Sequence, residues 1–177
     1  MNKNLSTTII VLAVVVLGYI YFSYSQPFKL RQPQEKTVSL ATSQSTDEVI
    51  SKTGIHWHPE LAISIKGQRQ IIPANIGIGM QYASYPLYDP MMMMTDVHTH
   101  DNSGTLHWEI MEGPVKKEDV RLASFFAIWG KKFDGSCILE YCNGPEGTAI
   151  MFVNGQPSTE FQNYLVKDGD QVEIRYE

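Results

Sequence analysis

The sequence predicts an α+β domain, built as a mixed β-sheet covered by one helix and preceded by a single transmembrane helix. Three features of the 177-residue chain support this fold class. An uncharged apolar run lies near the N-terminus, several later segments alternate apolar and polar residues, and one segment repeats its apolar residues with a helical period. Because the chain is 43% hydrophobic and 19% charged, a wholly disordered or collagen-like protein is excluded.

The apolar run at residues 7–24 is predicted to be a membrane anchor. It contains no charged side chain, and its 18 residues can just cross a hydrocarbon core at about 1.5 Å per residue. A cleaved signal peptide ending before Gln26 is the alternative. We favour the anchor because the run exceeds the roughly 7–15 apolar residues of a signal peptide and ends in an aromatic cluster.

Residues 25–53 are predicted to form a flexible tether to an extracytoplasmic domain at residues 54–177. The tether is rich in Gln, Ser, Thr and Lys and cannot bury enough apolar surface to offset its ordering entropy. All three Trp, both Cys and all five His follow it. The tail before the anchor is short, and all the cysteines and histidines lie after the tether. Both features favour a single-pass protein of the cell membrane whose C-terminal domain lies outside the cytoplasm.

The charge balance restricts the partners. Against 14 Lys and Arg stand 19 Asp and Glu, a formal net charge of -5, so a nucleic-acid partner held by phosphate neutralisation is excluded. Residues 54–177 carry nine basic and sixteen acidic side chains. An acidic domain favours cations as partners.

The first half of the domain predicts three strands. Residues 61–65 alternate apolar and polar side chains, and a glycine-containing turn leads into residues 70–73, which is the pattern of a hairpin. Residues 106–110 alternate again and have one apolar face. His107 and Glu109 lie on the opposite face of this third strand.

The second half predicts one helix and two strands. Apolar residues at i, i+3, i+4 and i+7 predict a short amphipathic helix over residues 119–129, ended by Gly130. Residues 149–153 precede an Asn-Gly turn and residues 171–176 follow an Asp-Gly-Asp turn, so both are predicted strands. This order of elements fits a β-grasp domain with one mixed sheet and one packed helix.

The C-terminal third of the chain is similar to the β-grasp domain at the C-terminal end of transcobalamin-like proteins. The similarity rests on the helix from Leu122 and on the segment NGQPSTEFQNYLVKDGDQVEIRYE, with its N-G turn and closing K-D-G-D strand. It implies a short helix packed on a β-grasp sheet.

The histidines form two H-x-H pairs and one H-x-E pair within 52 residues. In extended backbone the first and third residues of such a pair point to the same side. Imidazole is a good ligand for zinc, copper, iron and nickel. The candidate metal ligands are therefore His56, His58, His98, His100 and His107. The alternative is that they are ordinary surface or hydrogen-bonded histidines.

We predict that the two H-x-H pairs bind one ion together, with His107 as a fifth ligand or a close supporting group. Asp101 is expected to orient one imidazole through its other ring nitrogen. Copper is the first expectation and zinc the second, because four methionines, Met91 to Met94, precede the second pair and thioethers bind Cu(I). The alternative for these methionines is core packing.

The motifs HWHPE, IIPANIG, HTHDNSGTLHWE and FFAIWGK extend across almost all of residues 54–177. They resemble an uncharacterised family of exported or membrane-anchored microbial domains, which shares an early H-x-H and a later H-T-H-D-x-[ST]-G-x-x-H-x-E. All five histidines match these motifs, as do Asp101 and Glu109. The resemblance implies export and carries no settled function.

Two cysteines, Cys137 and Cys142, enclose four residues. Outside the cytoplasm two nearby thiols normally pair, so we expect a disulfide; two thiolate metal ligands are the alternative.

Three functions remain open, in order of preference. The first is a membrane-tethered metal-binding domain for ion sequestration, delivery or sensing. The second is a metal-free β-grasp module that presents a surface to another envelope protein. The third is a zinc or copper enzyme in which Glu109 or Glu60 acts as general base.

Overall fold

The computed structural model describes residues 48–177. The predicted anchor at residues 7–24 and most of the predicted tether lie outside the described residues. Within residues 48–177, no helix has the length and apolar character needed to span a membrane.

The described part of the chain is an α+β structure made mostly of short strands. In chain order the strands are β1 (Val49–Ser51), β2 (Ile55–Trp57), β3 (Glu60–Ile65), β4 (Gln68–Gln70), β5 (Tyr88–Asp89), β6 (Met94–Thr95), β7 (Val97–His98), β8 (His107–Ile110), β9 (Val115–Lys116), β10 (Phe133–Asp134), β11 (Cys137–Ile138), β12 (Tyr141–Cys142), β13 (Ala149–Val153), β14 (Gln156–Ser158) and β15 (Gln171–Tyr176). The α-helix is α1 (Leu122–Trp129), and 3₁₀ turns cover Met80–Tyr82, Lys117–Val120 and Phe161–Asn163.

The largest sheet is mixed and has the order β14-β13-β15-β3-β4. Strands β15 and β3 run parallel at its centre, and the other neighbours are antiparallel. The strands predicted at residues 149–153 and 171–176 are confirmed. The predicted first hairpin is confirmed as β3–β4. Its second strand starts earlier than predicted, because Lys66 and Gly67 both adopt positive φ and close a two-residue turn.

One apolar face of this sheet packs against α1. Alternation along β3 and β15 places Leu61, Ile63 and Ile174 on the buried face, and Phe125 and Phe126 of α1 belong to the same core. Fully burying a side chain of this size contributes roughly 1.5–3 kcal/mol. The alternating strands and the helical repeat of α1 therefore stabilise one another.

The helix is confirmed, but it is shorter than predicted. It begins at Leu122 because residues 117–120 form a separate 3₁₀ turn, whose start is capped by the Asp119 carboxylate accepting the backbone N–H of Lys116, and Arg121 after that turn is extended. At its other end Gly130 adopts a left-handed conformation, with φ 69°, and its N–H donates to carbonyls of the last turn.

A second sheet has the order β2-β8-β7 and is antiparallel. The prediction that residues 106–110 join the main mixed sheet is wrong. Both edges of β8 are occupied by β2 and β7, and both edges of β3 by β15 and β4, so the two strands cannot pair. Trp108, on the apolar face of β8, is fully buried and donates its indole N–H to the carbonyl of Asp119 at 3.0 Å.

Three smaller sheets complete the described structure. Strand β1 pairs with β9, although it lies within the segment predicted as tether. Strands β5 and β6 pair, and β10, β11 and β12 form a small sheet. Cys137 faces Cys142 across β11 and β12, and the predicted disulfide between them is confirmed.

Candidate metal centre

The polar face of the β2-β8-β7 sheet carries four of the candidate side chains. On β8, His107 and Glu109 share a face because they are two residues apart. His56 on β2 lies opposite Glu109, and His98 on β7 lies opposite His107. Directly paired residues of antiparallel strands point to the same side, so the strand register brings these four side chains together.

The remaining two histidines follow the ends of β2 and β7. His58 is held by its backbone N–H, which donates to Asp168 Oδ1 at 2.8 Å. His100 lies beside His98, with the two Nε2 atoms 3.2 Å apart. Both side chains are exposed, so each H-x-H motif ends at the solvent-facing side of the sheet.

His107 lies at the centre of the histidine cluster. Its ring centroid is 4.8 Å from that of His58, 4.5 Å from that of His100 and 5.4 Å from that of His98. The sequence predicts His107 as a fifth ligand or a close supporting group. The structure instead places it between the two H-x-H pairs.

The six side chains form two overlapping groups of four. The His56 group consists of His56, His58, His107 and Glu109, and the His98 group consists of His98, His100, His107 and Glu109. Within each group, one potential ligand atom per residue lies within 4.8 Å of all the others. The two groups share His107 and Glu109.

The two groups differ in burial. His98 is fully buried, whereas the His56 side chain is 63% exposed. Glu109 lies between these extremes, and its Oε1 is 2.9 Å from His56 Nε2.

A backbone contact orients the buried imidazole. His98 Nδ1 lies 3.0 Å from the carbonyl oxygen of Thr95. A carbonyl oxygen can only accept, so Nδ1 carries the proton and, in the neutral ring, Nε2 carries the lone pair. Metal-bound histidines are commonly held in this way by a partner at the other ring nitrogen. The lone pair therefore faces His100.

The electrostatics favour neutral imidazoles at the centre. Burial lowers the pKa of His98 below its ordinary value, more than the Thr95 carbonyl and Glu109 raise it. Burial also lowers the pKa of His107, and His100 and His58 lower it further. Because the neutral imidazole is the form that binds a metal, these shifts keep both rings available as ligands.

One buried atom in the cluster lacks a hydrogen bond. His107 Nδ1 is 3.5 Å from Glu109 Oε1, and the contact does not have hydrogen-bond geometry. Leaving a buried polar atom unpaired costs about 1–3 kcal/mol. A metal ion bound between the two side chains would satisfy this nitrogen.

The distance between His98 and His100 fits a shared ion. Metal–nitrogen bonds of about 2.0–2.1 Å in a tetrahedral site place two ligand nitrogens about 3.3 Å apart. The observed separation of the two Nε2 atoms is 3.2 Å. These two rings thus already have the spacing of ligands to one ion.

A small methionine-lined cavity adjoins the centre. Met92, Met94 and Met111 line it together with Glu109 and Asp96, and its volume is about 10 Å³. Its complete lining is Asp89, Met92, Met94, Thr95, Asp96, Glu109 and Met111. Glu109 therefore contacts both the cavity and the histidines.

Two other carboxylates, Glu60 and Asp101, belong to neither ligand group. Glu60 is exposed at the start of β3 and belongs to neither group. Asp101, expected to orient an imidazole, accepts the backbone N–H of Ser103 at 2.8 Å. The residues that orient the site are instead Thr95 and Glu109. For Glu109 the period-two spacing from His107 was the available signal, whereas the Thr95 carbonyl has none in the sequence.

No protein-family model, curated protein or solved structure matches the chain.

Proposed function

We propose that this protein is a membrane-tethered, extracytoplasmic metal-binding domain whose ion is copper, with zinc as the second candidate. The observation that carries the proposal is the arrangement of five imidazoles and one carboxylate in two groups with ligand atoms within 4.8 Å. The acidic domain adds a field that favours a divalent cation.

Copper is favoured over zinc by the neighbouring methionines. Among divalent first-row ions Cu(II) binds most tightly to nitrogen and oxygen ligands, and thioethers select Cu(I). The cavity formed with Met92, Met94 and Met111 adjoins Glu109, so ligands for both copper oxidation states lie side by side. Zinc sites in proteins use Cys, His, Asp and Glu as ligands, so the methionine thioethers do not favour zinc.

The exposed histidines suit ion transfer. His56, His58 and His100 are accessible from solvent, whereas His98 is buried. An ion at the exposed edge can be exchanged with a second protein or with a small chelator, which fits sequestration, delivery or sensing. The uncharged run at residues 7–24 would hold the domain at the membrane, and carbonate washing of membranes should then leave the chain in the pellet.

We also infer a β-grasp arrangement for the main sheet. Its support is the parallel central pair β15 and β3, with hairpin β3–β4 on one side and hairpin β13–β14 on the other. Helix α1 lies between the two hairpins in chain order.

Elemental analysis tests the proposed metal binding. The full chain in detergent is incubated with Cu(II) or Zn(II), desalted and analysed, and we expect stoichiometric copper. The variant with both His98→Ala and His100→Ala should retain less copper than the wild type, and Glu60→Gln should bind as the wild type does. Wild-type protein that retains no more metal than the double variant would overturn the proposal.

A further inference from the structure

We propose that the centre binds two metal ions at once, with the carboxylate of Glu109 as the bridge between them. This inference rests on the proposed function, because it specifies how that site holds its metal. It is carried by the overlap of the two ligand groups.

Six potential ligand side chains are more than one ion of this kind uses. Zinc sites in proteins are almost always four-coordinate, and copper sites built from nitrogen and oxygen ligands hold four close ligands. The described cluster contains two sets of four, with two histidines belonging to each set alone. His56 and His58 belong to one ion, and His98 and His100 belong to the other.

The strand order separates the two sets. Strand β8 lies between β2 and β7, and neighbouring strands are about 4.8 Å apart. His56 therefore approaches from one side of Glu109, and His98 from the other. A single ion near His56 would leave His98 and His100 without a metal to bind. Two ions, one on each side of Glu109, would be bound by all six side chains without any of them moving far.

The donor spacing fits one ion on each side. His98 Nε2 and His100 Nε2 are 3.2 Å apart, and His56 Nε2 is 2.9 Å from Glu109 Oε1. Both separations lie in the range expected for two ligands of one ion with bonds of about 2 Å. Two-metal sites in proteins typically hold their ions about 3.5–4 Å apart, a spacing that the two oxygens of one carboxylate can bridge.

The surrounding charge offsets part of the charge of two dications. Asp96 shares the methionine-lined cavity with Glu109. Asp101 interacts electrostatically with His100 and His107. Residues 54–177 carry sixteen acidic against nine basic side chains. This excess of carboxylates offsets part of the repulsion between two bound dications.

Stoichiometry and electron paramagnetic resonance test the bridge. The full chain in detergent is loaded with Cu(II) and desalted, and we expect two copper ions per chain with a spin-coupled spectrum, seen as a reduced spin count or a half-field signal. This wild-type measurement needs no substitution, so it is independent of variant folding.

Matched variants assign each ion. His56→Ala with His58→Ala, and His98→Ala with His100→Ala, should each retain one ion with a mononuclear spectrum. Glu109→Gln should abolish the coupling and lower the copper content. Glu60→Gln, a carboxylate outside both groups, should keep two coupled ions.

The outcomes separate the two proposals. One ion per chain, or two ions without coupling, overturns the bridged pair and leaves the proposed metal binding intact. No retained copper overturns both. Coupling that persists in Glu109→Gln overturns Glu109 as the bridge.

Discussion

His98 and His100 place their Nε2 atoms 3.2 Å apart, although His98 is fully buried and His100 is exposed. The pair therefore joins a buried candidate ligand, oriented by the Thr95 carbonyl, to a candidate ligand that is exposed to solvent. Because only His98 is buried, a substitution at His98 should affect both folding and metal binding, whereas a substitution at His100 should affect metal binding alone.

Single alanine variants of this pair should differ in stability and agree in metal binding. Each should lower copper affinity by at least about tenfold, the smallest effect usual for groups that only orient a ligand. His98→Ala should also lower the free energy of unfolding of the metal-free protein by about 2 kcal/mol, as for other large buried side chains. His100→Ala should change it by less than about 0.5 kcal/mol. Urea denaturation and copper titration measure both, and equal destabilisation by the two variants would contradict this.

The metal-free protein should lose stability as the pH falls below 6.5. His98 and His107 have a lowered pKa in the folded state, so the unfolded chain takes up protons near 6.5, before the folded chain does. Their contribution is present above 6.5 and is lost as the pH falls toward the folded pKa. Copper affinity should fall over the same range because protons compete for the imidazoles.

The His98→Asn variant isolates this effect. Its free energy of unfolding, compared with that of the wild type at each pH between 5 and 7.5, should show a smaller loss toward low pH. A difference between the two proteins that does not vary with pH would contradict the assignment to His98.

Asp96→Asn should stabilise the protein at neutral pH. Burial, and to a smaller extent the neighbouring Asp119 and Asp89, raise the pKa of Asp96 to about 6. A carboxyl with a raised pKa stabilises the fold below its unfolded pKa, 3.8, and this contribution is lost as the pH rises through about 6. The expected gain at pH 7 is about 1 kcal/mol, after allowance for partial exposure. Thermal unfolding checks it, with Glu60→Gln expected to be neutral.

The methionine-lined cavity should contribute to Cu(I) affinity. Replacing Met92, Met94 and Met111 together by Leu removes the thioethers and keeps the apolar volume, so Cu(I) affinity should fall while Zn(II) affinity is unchanged. Competition with a chromophoric Cu(I) chelator measures the first quantity. Met91→Leu is the control, because Met91 is 92% exposed and does not line the cavity. An equal effect of Met91→Leu would refute this role.

The disulfide should stabilise the fold without taking part in metal binding. Its loop is short, and the chain-entropy estimate for a separation of five residues is about 2 kcal/mol. The variant with both Cys137→Ala and Cys142→Ala should unfold at lower urea concentration and bind the same amount of copper. A loss of copper would instead support the alternative that the two cysteines are metal ligands.

Local pattern predicted the long strands of the main sheet and the helix, and it missed the short strands. Alternation in β3, β13 and β15 and the helical repeat of α1 are short-range signals, and each was found where expected. The sheet containing β8 could not be predicted, because the same alternation is compatible with any partner strand. Which edges are free depends on the whole topology.

In the candidate site, too, the short-range features could be predicted from the sequence and the long-range ones could not. The H-x-H spacing predicts two imidazoles on one side of each strand, and this depends only on the pleat. The central position of His107 depends on β8 pairing with both β2 and β7, which is a long-range relationship. The raised pKa of Asp96 likewise comes from burial in the folded chain, and then from Asp119 and Asp89.

The register of β2 and β8 pairs Trp57 with Trp108, and each lies in sequence between two candidate ligands. The two indoles lie on the opposite face of the sheet from the imidazoles, on strands that also carry candidate ligands. A Cu(II) ion bound on the imidazole face should quench their fluorescence. The protein therefore contains its own optical probe, and a simple emission titration can follow the occupancy of the centre in real time without a label.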